Sequence, residues 1–303
     1  MDRRVVGNLT ATVAAIVQTR TELTTSALGS AICGPAHAQA GTQRLQRALH
    51  HEGWEAEVIE EVLWQEAQRS RQQREQRGET PLCIWDSSVL EKPESEKLEG
   101  LGAVRSSRVR RLARSRKGLF NQPSPMPVSV RGFEWESLLL VGQSGVPQVV
   151  AMKWWSRHKG LPGQQRKPQQ VLLSQAAQRW GRQVRHVFDR GSGNAPWLWL
   201  LCRSLLRLVV RWKKGNTLID AAGQERKAWD IVFSSVRSFQ IEESFRFQKC
   251  ELLIESLRLQ GWQARRKMLL LVTLASGFLL TLLSAPLWLA RCKLLLHWCQ
   301  RAD

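Results

Sequence analysis

Pro81–Asp86, PLCIWD, is a continuous apolar run that closes on a carboxylate. Short, apolar at successive positions and opened by a proline, it predicts a strand buried on both faces, with Asp86 at its end. Val184–Asp189, VRHVFD, repeats the arrangement: a strand-like run ending in Asp189, followed by the turn RGSGN. Between them, Ser137–Val141 and Gln148–Met152 predict a hairpin across the turn Gln143–Val146. Pro168–Gln183 then carries Val171, Leu172, Gln175, Ala176 and Trp180 at helical spacing. After the second aspartate come a helix over Ala195–Leu205, a strand over Arg207–Trp212 and, from Gln224 onward, a run into a further helix. Three antiparallel strands followed by alternating helices and strands is the order of an RNase H-like core, an α/β fold whose mixed sheet is flanked by helices. In that arrangement two strand-end aspartates and a glutamate on a helix converge at one edge.

The helix in question is Ser238–Ser256, SFQIEESFRFQKCELLIES. Around Glu242, Ser238 and Arg246 lie one turn away on either side, and Ser235 and Lys249 about two turns away, so all share a stripe. Phe239, Phe245, Leu252, Leu253 and Ile254 are left for packing. Taken alone, a carboxylate flanked by cations also suits an ordinary salt-bridged surface.

A chain of 303 residues with 43% hydrophobic content can build a real core, and its net charge of +19 and pI near 10.8 call for a polyanionic partner, nucleic acid or an acidic membrane surface. Its six cysteines are scattered and include no C-x-x-C pair, which argues against a zinc site and a disulfide scaffold and suits a reducing cytosol. Residues 1–80 read as helical, with a basic edge at Arg20, Arg44 and Arg47 for phosphate contacts. From Arg105 to Lys117 there are seven cations and no acid. Arg105, Arg108, Arg110, Arg111, Arg114 and Lys117, interleaved with Ser106 and Ser107, suit a track for DNA phosphates or, more plainly, a solvated face. Asn8, several threonines and Gln18 dilute the apolar character of residues 1–40, against a signal peptide. Met268–Ala290 is uncharged and long enough to span a bilayer, yet Ser276-Gly277, Ser284 and Pro286 also fit a buried C-terminal helix. The domain reading is a helical, DNA-end-binding region over 1–80, a catalytic core over 81–260, and a helical segment over 261–303 packed on that core.

Phosphodiester chemistry on DNA needs a nucleophilic oxygen, a stabilised phosphorus centre and a stabilised leaving oxygen. Two Mg2+ ions about 3.5–4 Å apart meet all three needs, and such hard cations require carboxylate ligands. Rigid strand ends supply two of them, and a helix supplies the third from another direction.

The segments WDSSVLEKPESEKLEGLGAVRSS, HVFDRGSGNAPWL and FQIEESFRFQKCELLIES together resemble the DDE-type insertion-sequence transposases of bacteria, and within them the large family with a Tyr-x2-Arg-x3-Glu-x6-Lys signature on the third catalytic helix. The resemblance covers about residues 45–285. It implies Asp86, Asp189 and Glu242 as the catalytic, metal-binding triad, and Lys249 as the lysine that the family uses toward DNA phosphate, with Arg246 and Arg237 beside it. It further implies two Mg2+ ions for which Mn2+ can substitute, terminal inverted repeats and target DNA as double-stranded substrates, a homodimer in the active complex, no membrane, and a cytoplasmic, nucleoid-associated bacterial protein. Two departures stand out. The signature tyrosine and arginine fall at Ser235 and Ser238, with Arg237 turned roughly 100° round the helix. The interval between Asp189 and Glu242 has no room for the β-rich insertion common in relatives.

Three functions follow as alternatives: a transposase that cleaves transposon ends and joins the freed 3′-OH to target DNA, a catalytically decayed copy that still binds DNA, and a membrane-anchored basic protein.

Overall fold

The computed structural model describes residues 3–19, 22–106, 129–143, 145–156, 166–189, 192, 195–204, 206–210, 217–219, 224–227 and 246–283. The described residues before the first strand are mostly helical. Helices α1 (Arg3–Gln18), α2 (Thr25–Cys33), α3 (Ala38–His50) and α4 (Ala56–Gln76) follow one another. Thr24 caps α2, its hydroxyl accepting from Ala27 N at 3.2 Å. The helices α2 and α3 meet at two glycines: a β-carbon at Gly41 would collide with the Gly29 carbonyl, so the approach depends on having none there.

The strands are β1 (Leu82–Glu91), β2 (Gly102–Arg105), β3 (Ser129–Val141), β4 (Gln148–Trp155), β5 (Arg185–Phe188) and β6 (Arg207–Val210). β3 pairs antiparallel with β1, β2 and β4, while β5 pairs parallel with β1, and β6 parallel with β5. The result is a mixed sheet of order β2-β3-β1-β5-β6, with β4 also on β3. Helices α5 (Arg166–Trp180) and α6 (Ala195–Arg203) connect β4 to β5 and β5 to β6. This mixed α/β sheet flanked by helices is compatible with an RNase H-like fold.

Period-two alternation divides β1 and β3 between two cores. On one face Ile84, Leu90, Phe133, Trp135, Leu139 and Val141 pack with residues of α1, α3, α4 and the C-terminal helix α7 (Trp262–Leu283). On the other, Cys83, Trp85, Leu138 and Leu140 pack with Trp64, Trp180, Phe188 and Trp197. The abundant tryptophans largely fill these cores, and several indole N–H groups find acceptors: Trp54 on Ala48 O at 2.7 Å, Trp155 on Glu134 at 2.8 Å, and Trp180 on Gln68 at 2.8 Å.

The helix α7 takes up most of the uncharged stretch that was long enough for a membrane span. It is a packed helix instead. Thr273 Oγ1 reaches Met152 Sδ at 3.2 Å, and Lys267 Nζ donates to His51 O at 3.0 Å while lying over the Trp54 ring. Arg266 joins Glu57 and Glu60 on α4, and Glu60 also binds Lys153 of β4. No helix among the described residues is long and apolar enough to cross a membrane.

Four local expectations are corrected. β1 runs on to Glu91, so Asp86 lies within the strand rather than at its end. β2, unmarked in the sequence, begins the basic track, and Ser106 after it is buried with its hydroxyl on Glu91 at 2.9 Å, which removes it from any phosphate path. Glu225–Lys227 is a strand (β8) paired with Thr217–Ile219 (β7), so a small antiparallel sheet occupies the interval that looked too short for added β structure. Finally, Ser238–Ser256 does not run as one helix to its end. Phe247–Glu251 is a π-helical turn, Leu253 is left-handed at φ 47°, and Ile254–Ser256 is a 3-10 turn. Pro123, Pro125 and Pro127, within the Pro/Ser-rich stretch before β3, lie outside the described residues.

His186, fully buried on β5, has a measurable consequence. Its Nδ1 accepts from Trp85 Nε1 at 2.9 Å, an indole can only donate, and burial pushes its pKa from 6.5 down to about 4. Between those two values the unfolded chain binds a proton that the folded one refuses. Stability from this group is therefore complete above pH 6.5 and falls by about 1.4 kcal/mol per pH unit on the way down to pH 4. Urea unfolding at pH 7.5 and pH 5 is expected to show this loss, and His186→Asn, which keeps an acceptor for Trp85 but does not titrate, is expected to flatten it.

Candidate active site

Register brings the two aspartates together. β1 and β5 run parallel with Trp85 opposite Phe188 as their last paired residues, and those rings are 5.0 Å apart on one face. The next residues are Asp86 and Asp189. Alternation turns Asp86, still inside β1, to the opposite face, while Asp189 is the first residue past β5, the neighbouring strand about 4.8 Å away. Asp86 is half-buried and Asp189 exposed. Asp86 Oδ1 accepts from Ser87 N at 2.9 Å, while Asp189 Oδ1 closes its own turn by accepting from Ser192 N at 3.3 Å. The aspartate at the end of β5 thus interrupts no strand pairing, and its side chain is held by the local loop.

Asp86 and Ser88 are the polar members of an otherwise apolar row, Leu82, Ile84 and Leu90, on that face of β1. Over them comes the segment after Arg246. The π-helical turn Phe247–Glu251 carries Lys249, whose Nζ donates to Ser88 Oγ at 3.1 Å and lies 5.2 Å from the centre of the Trp135 ring. Lys249, far away in sequence, therefore sits two residues along the strand from Asp86 on the same face. Arg246, just before the turn, is exposed. Phe247, Leu252, Ile254 and Leu257 seat the segment on the core.

Two further ties fix this segment. Lys92 donates to the carbonyls of Glu255 and, at 2.9 Å, Leu257. Arg265, 1% exposed, donates to the carbonyls of Leu259, of Gln260 at 2.7 Å and of Glu99 at 2.6 Å, and its guanidinium lies over Phe133. Burial pushes the Arg265 guanidinium down to about 10, partly opposed by Glu99.

The remaining residues implied as functional are distributed as follows. Arg105 is exposed at the end of β2, opposite Ser129. Glu242, Arg237, Arg108, Arg110, Arg111, Arg114 and Lys117 lie outside the described residues, as do Ser235, Ser238 and Arg20. Of the N-terminal arginines, Arg44 binds Asn8 at 2.6 Å and Arg47 reaches back to Gln43 O at 3.4 Å. Among the described residues no group of three His, Cys, Asp or Glu side chains is placed to hold a metal ion. Asp86 and Asp189 make two such donors. Both are hard carboxylates at adjacent register positions, which suits Mg2+ or Mn2+ rather than zinc.

Residue-level reading of the sequence missed Ser88 and Trp135. The signal for Ser88 was present, since SSVLE continues the strand pattern past Asp86 and puts Ser88 on the Asp86 face. Nothing in the sequence pairs Trp135 with it.

No family model matches the chain, and no curated protein matches it. Among solved structures it is similar to the Mos1 transposase paired-end complex with left transposon end, at 13% identity and a TM-score of 0.29, covering 80% of this chain. The match spans 65% of that protein's chain. A likeness at this level sets neither fold nor chemistry, which rest on strand register and side-chain geometry.

Proposed function

We propose that this protein is a DDE-type DNA transposase with an RNase H-like catalytic core, which binds transposon ends and cleaves and transfers DNA strands with the help of divalent metal ions. One observation carries the proposal: the parallel β1/β5 register that sets Asp86 beside Asp189, with Lys249 held on the same face.

In this reading Asp86 and Asp189 would hold two Mg2+ ions, or Mn2+ in their place, with Glu242 as the third carboxylate. When bound, such ions neutralise charge on the attacking and leaving oxygens of an in-line displacement at phosphorus. The chain's own contribution is positional. Asp86 is fixed within β1, paired to Ser137 of β3 and one residue past the last pair with β5, so its backbone holds the carboxylate in place. Lys249 offers a cation to a phosphate oxygen beside it, with Arg246 and Arg237 near in sequence. Arg105 and the cations up to Lys117 track the backbone further out, where contacts position the duplex without reading its sequence. The net charge of +19 favours encounter with DNA of any sequence. Substrates are the terminal inverted repeats and target DNA, and pairing of two ends calls for a dimer. The protein works in the bacterial cytoplasm, at the nucleoid.

Ser235 and Ser238, standing where related transposases carry tyrosine and arginine, favour a second reading, a protein that binds DNA but no longer cuts it. The deciding experiment uses linear DNA carrying the short inverted repeats that flank the reading frame. Cleavage at the repeat ends is expected in Mg2+ or Mn2+ and not in EDTA. If the protein cuts no better than its Asp86→Asn variant in either metal, the enzyme reading fails and the binding protein remains.

A further inference from the structure

Lys249 is held from two sides by residues to which the transposase assignment gives no role. Ser88 and Trp135 face each other directly across β1 and β3, on the face that carries Asp86. Ser88 Oγ accepts from Lys249 Nζ at 3.1 Å, and the ammonium lies over the Trp135 ring at 5.2 Å from its centre. Trp135 is itself fully buried, with its ring packed 4.3 Å from that of Trp154. A lysine side chain has about 2 kcal/mol of rotamer entropy to lose, so an ammonium rarely keeps one position unless something holds it. Here a hydroxyl lone pair and an aromatic face do so.

The backbone conforms to the same end. Lys249 lies in the π-helical turn Phe247–Glu251, where one extra residue re-aims the side chains that follow, and the chain then passes through Leu253 in the left-handed region. A leucine there costs about 1 kcal/mol or more and persists only where its surroundings impose it. Leu252 and Ile254, buried on either side, supply that constraint.

We propose that Ser88 and Trp135 are a positioning pair, holding the Lys249 ammonium on the Asp86 face of the sheet for a phosphodiester of bound DNA. This rests on the DNA-binding half of the function proposed above, and the test is built to separate the two. The probe is a short fluorescein-labelled DNA duplex in EDTA, so that no cleavage is required, titrated by anisotropy across a series of salt concentrations.

Lys249→Met is expected to weaken binding about fivefold and to lower the slope of log Kd against log salt by about one, the signature of one lost phosphate contact. Ser88→Val and Ser88→Thr have the same shape and differ in the hydroxyl. Thr is expected to bind as the parent does, and Val to lose about two- to fivefold with a smaller salt slope. Thermal unfolding of the Val and Thr variants is compared directly, and Trp135→Phe, which keeps a ring face, is a second variant expected to retain the slope. If Lys249→Met loses affinity and slope while Ser88→Val matches Ser88→Thr in both, the positioning role is overturned and DNA binding stands. If Lys249→Met itself binds like the parent, Lys249 meets no phosphate and the proposal is overturned. If the parent protein does not bind the duplex, the transposase assignment falls and the positioning role with it.

Discussion

Asp86→Asn is expected to abolish strand cleavage, by about a thousandfold or more, while leaving the fold and DNA binding in EDTA intact. The size follows from where the carboxylate sits. Asp86 is paired to Ser137 on one side and stands one residue beyond the Trp85–Phe188 pair on the other, beside Asp189. Removing its charge leaves Asp189 without its neighbour in any divalent-metal site, and preorganised electrostatic groups at a reacting centre are individually worth about 10²–10³ in rate, more when they anchor a metal. Asparagine keeps the shape and an acceptor oxygen for the Ser87 amide, so the strand is undisturbed. Cleavage of inverted-repeat DNA in Mg2+ and in Mn2+, beside duplex binding in EDTA, measures the two properties separately. Cleavage by the variant within about tenfold of the parent would mean that the cutting does not come from this site, and the enzyme reading would fail.

The second large effect is on stability. Arg265→Met is expected to destabilise the protein by about 3 kcal/mol, read by urea unfolding. The guanidinium serves the carbonyls of Leu259, Gln260 and Glu99; without it the buried Leu259 carbonyl loses its donor, while Gln260 O, at the surface, keeps the Glu99 amide. Each unsatisfied acceptor costs about 1–3 kcal/mol, and relief from desolvating the guanidinium, visible in its lowered pKa, offsets part of the sum. Arg265→Lys keeps the charge but not the planar fork, so an intermediate loss is expected. The loss is also expected to be local first. Arg265 and Lys92 together clamp the stretch Glu255–Gln260, which follows the Lys249 turn. Hydrogen exchange in Arg265→Met should therefore accelerate there before it does in β1 or β3.

Much of the architecture was legible in the chain itself. Apolar runs ending at Asp86 and Asp189, a hairpin between them and helices after the hairpin and after the second run specify a mixed α/β sheet, because burial on both faces leaves a continuous apolar signature that needs no partner to recognise. The two aspartates could be nominated for the same reason: a charge at the close of such a run must lie at an edge of the core. Other features were beyond reach of local pattern. β2 is a four-residue strand whose existence depends on β3 being long enough to receive it. The end of the Ser238–Ser256 helix was misjudged because helical spacing persists in the sequence past Glu251, while the π-helical turn and left-handed Leu253 answer to packing on Trp135 and its neighbours. Met268–Ala290 shows the same limit, since an uncharged stretch suits lipid or a core equally and only the contacts of α7 with α1, α4 and β4 decide between them.

What the sequence determined by itself was therefore composition and period: a strongly basic α/β chain with carboxylates at the ends of buried runs. What only the tertiary structure decided was adjacency. The parallel register that places Asp86 beside Asp189, and the turn that lays Lys249 over Ser88 and Trp135, join residues far apart in the chain. Such contacts are selected by the fit of whole faces, which no local stretch encodes.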